Sequence, residues 1–169
     1  MKTIILPGRS LKNKIWAEEL VTQMNLSDYT IIEWEPWKNN DEESPLDVEL
    51  ETSKILGAIG SSTVNIVAKS IGTLLAVKII QTIPDQISKI ILCGIPLGVF
   101  EAEKTNYLIL ANFPIEKVKL FQNENDTVGS FQNVKKAFAL INPRIEVVSK
   151  PRSDHHYPYP EDFKNFLLS

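Results

Sequence analysis

Six short stretches of this chain are apolar with little or no alternation, and helical patterns separate most of them. They are Lys2–Leu6 ("KTIIL"), Tyr29–Trp34, Val64–Ala68 ("VNIVA"), Ser88–Gly94 ("SKIILCG"), Glu116–Gln122 and Pro143–Ser149. A strand with one wet face alternates apolar and polar residues; a strand covered on both faces does not need to. Between the strands, Ile15–Met24 places Ile15, Trp16, Leu20 and Met24 at helical spacing. Asp41–Ile59 reads as an acidic-started helix with Pro45 in its first turn. Ile71–Ile83, Phe131–Ile141 and Pro160–Leu168 supply further helices. Only 95–114 is irregular, read as a loop with one short helix. The pattern predicts an α/β protein: a six-stranded parallel sheet with helices on both faces, a three-layer α/β/α sandwich.

At 169 residues the chain has the length of a single domain, expected to span 1–169 with no separate cap domain. A net charge of -3 with no Lys/Arg block argues against a nucleic-acid partner. No apolar run approaches the roughly 20 residues that span a bilayer, so no membrane partner is expected. Cys93 is the only cysteine, which rules out an internal disulfide and a cysteine-based zinc site. A short "TIIL" before Pro7-Gly8 makes no signal-peptide core. The default location is the cytoplasm.

In a parallel sheet, the loops leaving the carboxyl ends of the strands gather at one edge, where ligands bind. Those loops here are "PGRS" after the first strand, "KSIG" after the third, "NENDT" after the fifth and "RSDHHY" after the sixth. A serine, a carboxylate and a histidine therefore reach the same edge in the order Ser70, Asp126, His155 or His156.

"AKSIG" (Ala68–Gly72) resembles the nucleophile elbow of the α/β hydrolases, Gly-x-Ser-x-Gly. Ala68 stands for the first glycine, still small, and Gly72 matches the second. "NENDTV" resembles the family's acid loop and "SDHHYP" its histidine ending. Arg9 lies in "LPGRS", in the place of the family's His-Gly loop, with Pro7 where that histidine would stand. The resemblance covers essentially the whole chain. It is greatest to small, lidless serine hydrolases of the retinoblastoma-binding protein 9 type.

The resemblance implies a minimal α/β-hydrolase fold with strand order 2-1-3-4-5-6. It implies a serine hydrolase acting on a small acyl substrate, an ester or thioester, through an acyl-enzyme. Ser70 would be the nucleophile at a positive-φ turn, His155 the base with His156 its rival, and Asp126 the orienting acid. The N–H groups of Arg9 and Ile71 would form the oxyanion hole. No cofactor and no metal are implied. The alternative is a binding or scaffold protein that keeps the fold but has lost efficient catalysis.

Other residues have competing roles. Ser70 and Asp126 could each merely cap the helix that follows. Arg9 is placed either to attract an anionic substrate group or in solvent. Trp34 and Trp37 either line an acyl pocket or cover the sheet end. Lys69 is expected to face solvent or a neighbouring helix, and Cys93 to be an inert core thiol.

Overall fold

A computed structural model describes residues 1–169. The strands are β1 (Lys2–Leu6), β2 (Tyr29–Ile31), β3 (Val64–Lys69), β4 (Ile87–Cys93), β5 (Val118–Asn123) and β6 (Val147–Lys150). The helices are α1 (Lys12–Gln23), α2 (Val48–Ile59), α3 (Gly72–Thr82), α4 (Leu97–Ala102), α5 (Lys104–Tyr107), α6 (Phe131–Ala139) and α7 (Pro160–Leu168). All six strands are parallel, in the order β2-β1-β3-β4-β5-β6. Chain direction across the sheet reverses between β1 and β3, so the loops after those two strands flank the crevice where such sheets bind ligands.

The lack of alternation has its physical cause in two cores. Ile4, Leu6, Ile66, Ala68 and Leu92 face one side, where they meet Ile55 and Ile59 of α2, Leu75 and Ile79 of α3, and Val134 and Phe138 of α6. Ile5, Val67, Ile91 and Cys93 face the other, against Trp16 and Leu20 of α1 and Phe163 and Phe166 of α7. Successive residues of β1, β3 and β4 thus bury alternately into two cores, and neither side can be polar. No helix is long and apolar enough to cross a membrane.

Three local expectations are corrected. The second helix begins at Val48, not in the acidic run, because the Asp47 carboxylate accepts the Leu50 N–H and caps it there; Pro45 lies outside. β2 stops at Ile31, and Glu35–Asn39 turns into a 3-10 helix with Pro36 in its first turn. The segment 95–114 is mostly helical: α4, α5 and a 3-10 turn cover Leu97–Ala111, and Phe100, Tyr107 and Leu110 fill the core.

α3 lies so close to β1 that a Cβ on Gly72 would sit 2.2 Å from the Leu6 carbonyl oxygen. Backbone cannot yield to it cheaply. We expect Gly72→Ala to cost at least about 2 kcal/mol or to prevent folding. Gly57, inside α2, has nothing within 4 Å of such a Cβ, so Gly57→Ala should stabilise by roughly 0.5–1 kcal/mol. Urea denaturation of the two variants should shift the midpoint in opposite directions.

Candidate active site

β3 runs straight into α3 with two intervening residues, Ser70 and Ile71. Ser70 has φ 55°, a left-handed conformation that a non-glycine residue holds only when its surroundings impose it. Its N–H donates to Cys93 O at 3.0 Å, and its carbonyl accepts from Thr73 N at 2.9 Å. Thr73 Oγ1 also donates to that carbonyl at 2.7 Å and meets the buried Tyr107 hydroxyl at 2.8 Å. The backbone of the turn is thus held on both sides. The Ser70 hydroxyl makes no capping bond to α3, so the N-cap role does not describe it.

Asp126 is 4% exposed and accepts three hydrogen bonds. Oδ1 takes the Val128 N–H at 2.8 Å; Oδ2 takes the Tyr157 hydroxyl at 2.5 Å and lies 2.7 Å from His155 Nδ1. Burial pushes the carboxyl pKa up, but bonds from His155, Tyr157 and Val128 outweigh it and hold the group below its ordinary value. α6 is capped instead by Ser130, whose side chain accepts from Asn133 N. With Nδ1 on the carboxylate, His155 keeps Nε2 buried and without a hydrogen-bond partner. Ser70 and His155 line one cavity of about 690 Å³ together with His156, though Ser70 Oγ and Nε2 are not hydrogen-bonded to each other. Catalytic contacts are often long in the unliganded state.

His156 also borders the cavity, but no carboxylate is hydrogen-bonded to its ring. Its N–H donates to Asp154 Oδ1, and burial with the charges of Arg152 and Lys69 lowers its pKa. Asp154 is in a bidentate pair with Arg152, not with His155.

The end of β5 fastens both loops. Gln122 is fully buried; its Nε2 donates to Gly129 O and its Oε1 accepts the Ile95 N–H. Asn123, equally buried, donates to the carbonyls of Asp154 and His156 at 2.8 Å each. Its N–H reaches the Tyr157 hydroxyl at 3.1 Å. Gly94 closes the group. It has φ 62°, and a Cβ there would stand 3.0 Å from the His155 ring and 2.7 Å from that of Tyr157.

Arg9 and Ile71 lie at the start of the two loops that flank the sheet reversal. Trp34 and Trp37, both buried, do not line the cavity; they hold the first loop, donating indole N–H groups to Gly8 O at 3.2 Å and Arg9 O at 2.6 Å. In a trans peptide the C=O and the following N–H point in opposite directions. The Trp34 bond to the Gly8 carbonyl therefore turns the Arg9 N–H away from Trp34, and no protein acceptor takes it. The Ile71 N–H is one of the donors that the start of α3 leaves free. The Arg9 guanidinium donates through Nη2 to Ser44 O and so ties down the loop before α2.

Lys69 is 3% exposed and lies against α1, not in solvent; its ammonium donates to Asn13 Oδ1. Cys93 is buried, and burial pushes its thiol pKa up, as for an inert core residue. No group of three or more His, Cys, Asp or Glu side chains is arranged to hold a metal ion.

Sequence reasoning missed Asn13, Gln122, Asn123 and Tyr157. Tyr157 alone had a signal, as the aromatic after the histidine pair; the other three act through partners remote in sequence.

No protein-family model and no curated protein matches the sequence. Solved structures match over almost its whole length. A YdeN-like hydrolase from Pectobacterium atrosepticum superposes with TM-score 0.71 at 16% identity, covering 98% of this chain and 90% of that one. XC6422 from Xanthomonas campestris, an α/β serine hydrolase without a lid, gives 0.65 at 12% identity over 99% and 78%. A meta-cleavage product hydrolase from Pseudomonas fluorescens gives 0.66 at 12% identity over 99% and 90%. With the strand order, these likenesses establish the α/β-hydrolase fold.

Because Asp126 binds its proton less readily folded than unfolded, its contribution to stability is complete above the ordinary carboxylate value, about 3.9. It is lost as pH falls through the lower folded value. Asp126→Asn should cost about 1–3 kcal/mol at pH 7, and the gap to wild type should narrow in acid below about pH 4. Urea titrations at pH 7 and pH 3 measure both.

Proposed function

We propose that this protein is a serine hydrolase cleaving a small ester or thioester through an acyl-enzyme. The observation that carries the reading is the Asp126–His155 pair at 2.7 Å, with a buried, unpartnered Nε2 in the same cavity as a serine at positive φ. A serine hydroxyl is a weak nucleophile until a base takes its proton. In this reading His155 Nε2 takes that proton as Ser70 Oγ attacks the acyl carbon, and Asp126 stabilises the imidazolium. His155 then returns the proton to the leaving group, and water repeats the sequence to release the acid. The free N–H groups of Arg9 and Ile71 would receive the developing oxyanion.

His155 is favoured over His156 because only its ring has a carboxylate to set the tautomer. The cavity wall is mostly polar, with Ile15, Trp16 and Val128 its only apolar members. That favours short acyl groups over long lipid chains. The fold shared with lidless and other hydrolases supports the reading, as does kinship with the retinoblastoma-binding protein 9 type inferred from the elbow and loop motifs.

A fluorophosphonate probe should label the wild type and leave Ser70→Ala unlabelled. In ester hydrolysis, His155→Ala should lower kcat by about 10³-fold or more, and His156→Ala by no more than a few-fold. Equal loss from the two histidine variants would refute the assignment of the base. Unchanged labelling of Ser70→Ala would put the nucleophile on another residue, and no labelling of the wild type would favour a binding protein on a hydrolase fold.

A further inference from the structure

The elbow carries a lysine that the proposed chemistry does not use. Lys69 is 3% exposed, yet it borders the same cavity as Ser70 and His155. A buried ammonium is normally paired with a carboxylate, since leaving water costs it several kcal/mol. Lys69 has no ion pair. Its one hydrogen bond goes to a neutral acceptor, Asn13 Oδ1, and the Trp16 ring centroid stands 5.5 Å from Nζ. An ammonium has three donors, so two remain for something else.

Two neighbouring carboxylates are committed elsewhere. Asp126 accepts from His155, Tyr157 and the Val128 N–H, and Asp154 is in its pair with Arg152. Glu19, on the exposed part of the wall, makes no ion pair with Lys69. The cavity wall also holds Arg9 and Lys12, with two exposed carboxylates, Glu19 and Asp154. With Lys69, three cations face two acids there, in a chain whose net charge is -3. Burial lowers the Lys69 pKa, with the Lys12 charge acting the same way and Cys93, Asp126 and Asp154 acting against it; a bound anion would also act against it.

We propose that Lys69 is a specificity-determining residue that binds a carboxylate on the substrate, so that the preferred ester is a half-ester of a short dicarboxylic acid. The inference rests on the hydrolase reading for the reaction but not for the binding site. A carboxylate brings one charge to the buried ammonium and accepts its unused donors. The same geometry also gives Lys69 a structural contact. Lys69 holds Asn13, and Asn13 Nδ2 donates to Ser10 O and Oγ in the first loop. The two roles differ in one respect: support of the loop serves every ester alike, whereas charge recognition distinguishes anionic from neutral ones.

Monomethyl succinate and methyl butyrate differ mainly in a terminal carboxylate or methyl. The wild type should favour the succinate half-ester in kcat/KM by at least about tenfold, the size of one charge-assisted hydrogen bond. In Lys69→Met the ratio should fall to about one. A wild-type ratio near one, or a ratio that persists in Lys69→Met, would overturn the proposal; the wild-type ratio stands even if the variant fails to fold. Calorimetric binding of monomethyl succinate to Ser70→Ala separates this inference from the reaction, because it needs no turnover. Adding Lys69→Met should weaken that binding at least about tenfold. Absent binding, or equal binding with and without the lysine, refutes the anion site. Failure to cleave either ester alongside lysine-dependent binding would refute the hydrolase reading alone.

Discussion

The close approach of α3 to β1 governs the rest of this molecule. Where a side chain on Gly72 would stand, the Leu6 carbonyl oxygen lies at 2.2 Å. Bringing a helix start that near to a neighbouring strand forces the connection from β3 to turn within two residues, and Ser70 takes the strained φ that results. The same approach sets the elbow beside the loop leaving β1. Two sources of free backbone N–H groups, the start of α3 and the Arg9 peptide, therefore lie in the loops that flank the sheet reversal. The strain at Ser70 is offset by its N–H bond to the Cys93 carbonyl and by the bonds its own carbonyl accepts from Thr73, whose hydroxyl meets that of Tyr107.

The electrostatics follow a consistent logic around the cavity. Asp126 is buried but stays ionised because three donors surround it. Tyr157 contributes twice: it donates to the carboxylate and accepts from the Asn123 N–H. Asn123 in turn fastens the loop that carries His155. The acid and the histidine are thereby mounted on one rigid strand end, which keeps their separation from drifting with the loops. Lys69 is the counterexample, a buried charge left with a neutral partner. That contrast between two buried charges is why the lysine reads as a site for substrate charge.

Much of this was legible in the residues because its causes are local. Unalternating apolar runs such as Val64–Ala68 require cover on both faces, and the two cores supply it. "KSIG" shows a serine at a strand–helix junction because the small Gly72 betrays the close approach. Other features depend on partners far along the chain. Nothing near Trp34 says that its indole will meet Gly8, 26 residues earlier, or that Trp37 will meet Arg9. Lys69 finds Asn13 across 56 residues, so its burial had no periodic signature. The start of α2 was misplaced for a local reason, as the acidic run and Pro45 imitate a first turn while Asp47 performs the capping.

In the proposed reaction Ser70, His155, Asp126 and the Arg9 and Ile71 N–H groups act as one catalytic unit. The sharpest test of that unit is a crystal structure of the protein after reaction with a small fluorophosphonate. Phosphorus should be bonded to Ser70 Oγ, with one phosphonyl oxygen about 2.7–3.1 Å from both backbone nitrogens. His155 Nε2 should stand within about 2.6–3.2 Å of the adduct, with Nδ1 still on Asp126. An adduct on another residue, a phosphonyl oxygen turned away from Arg9 and Ile71, or His156 in the place of His155 would contradict the proposed unit.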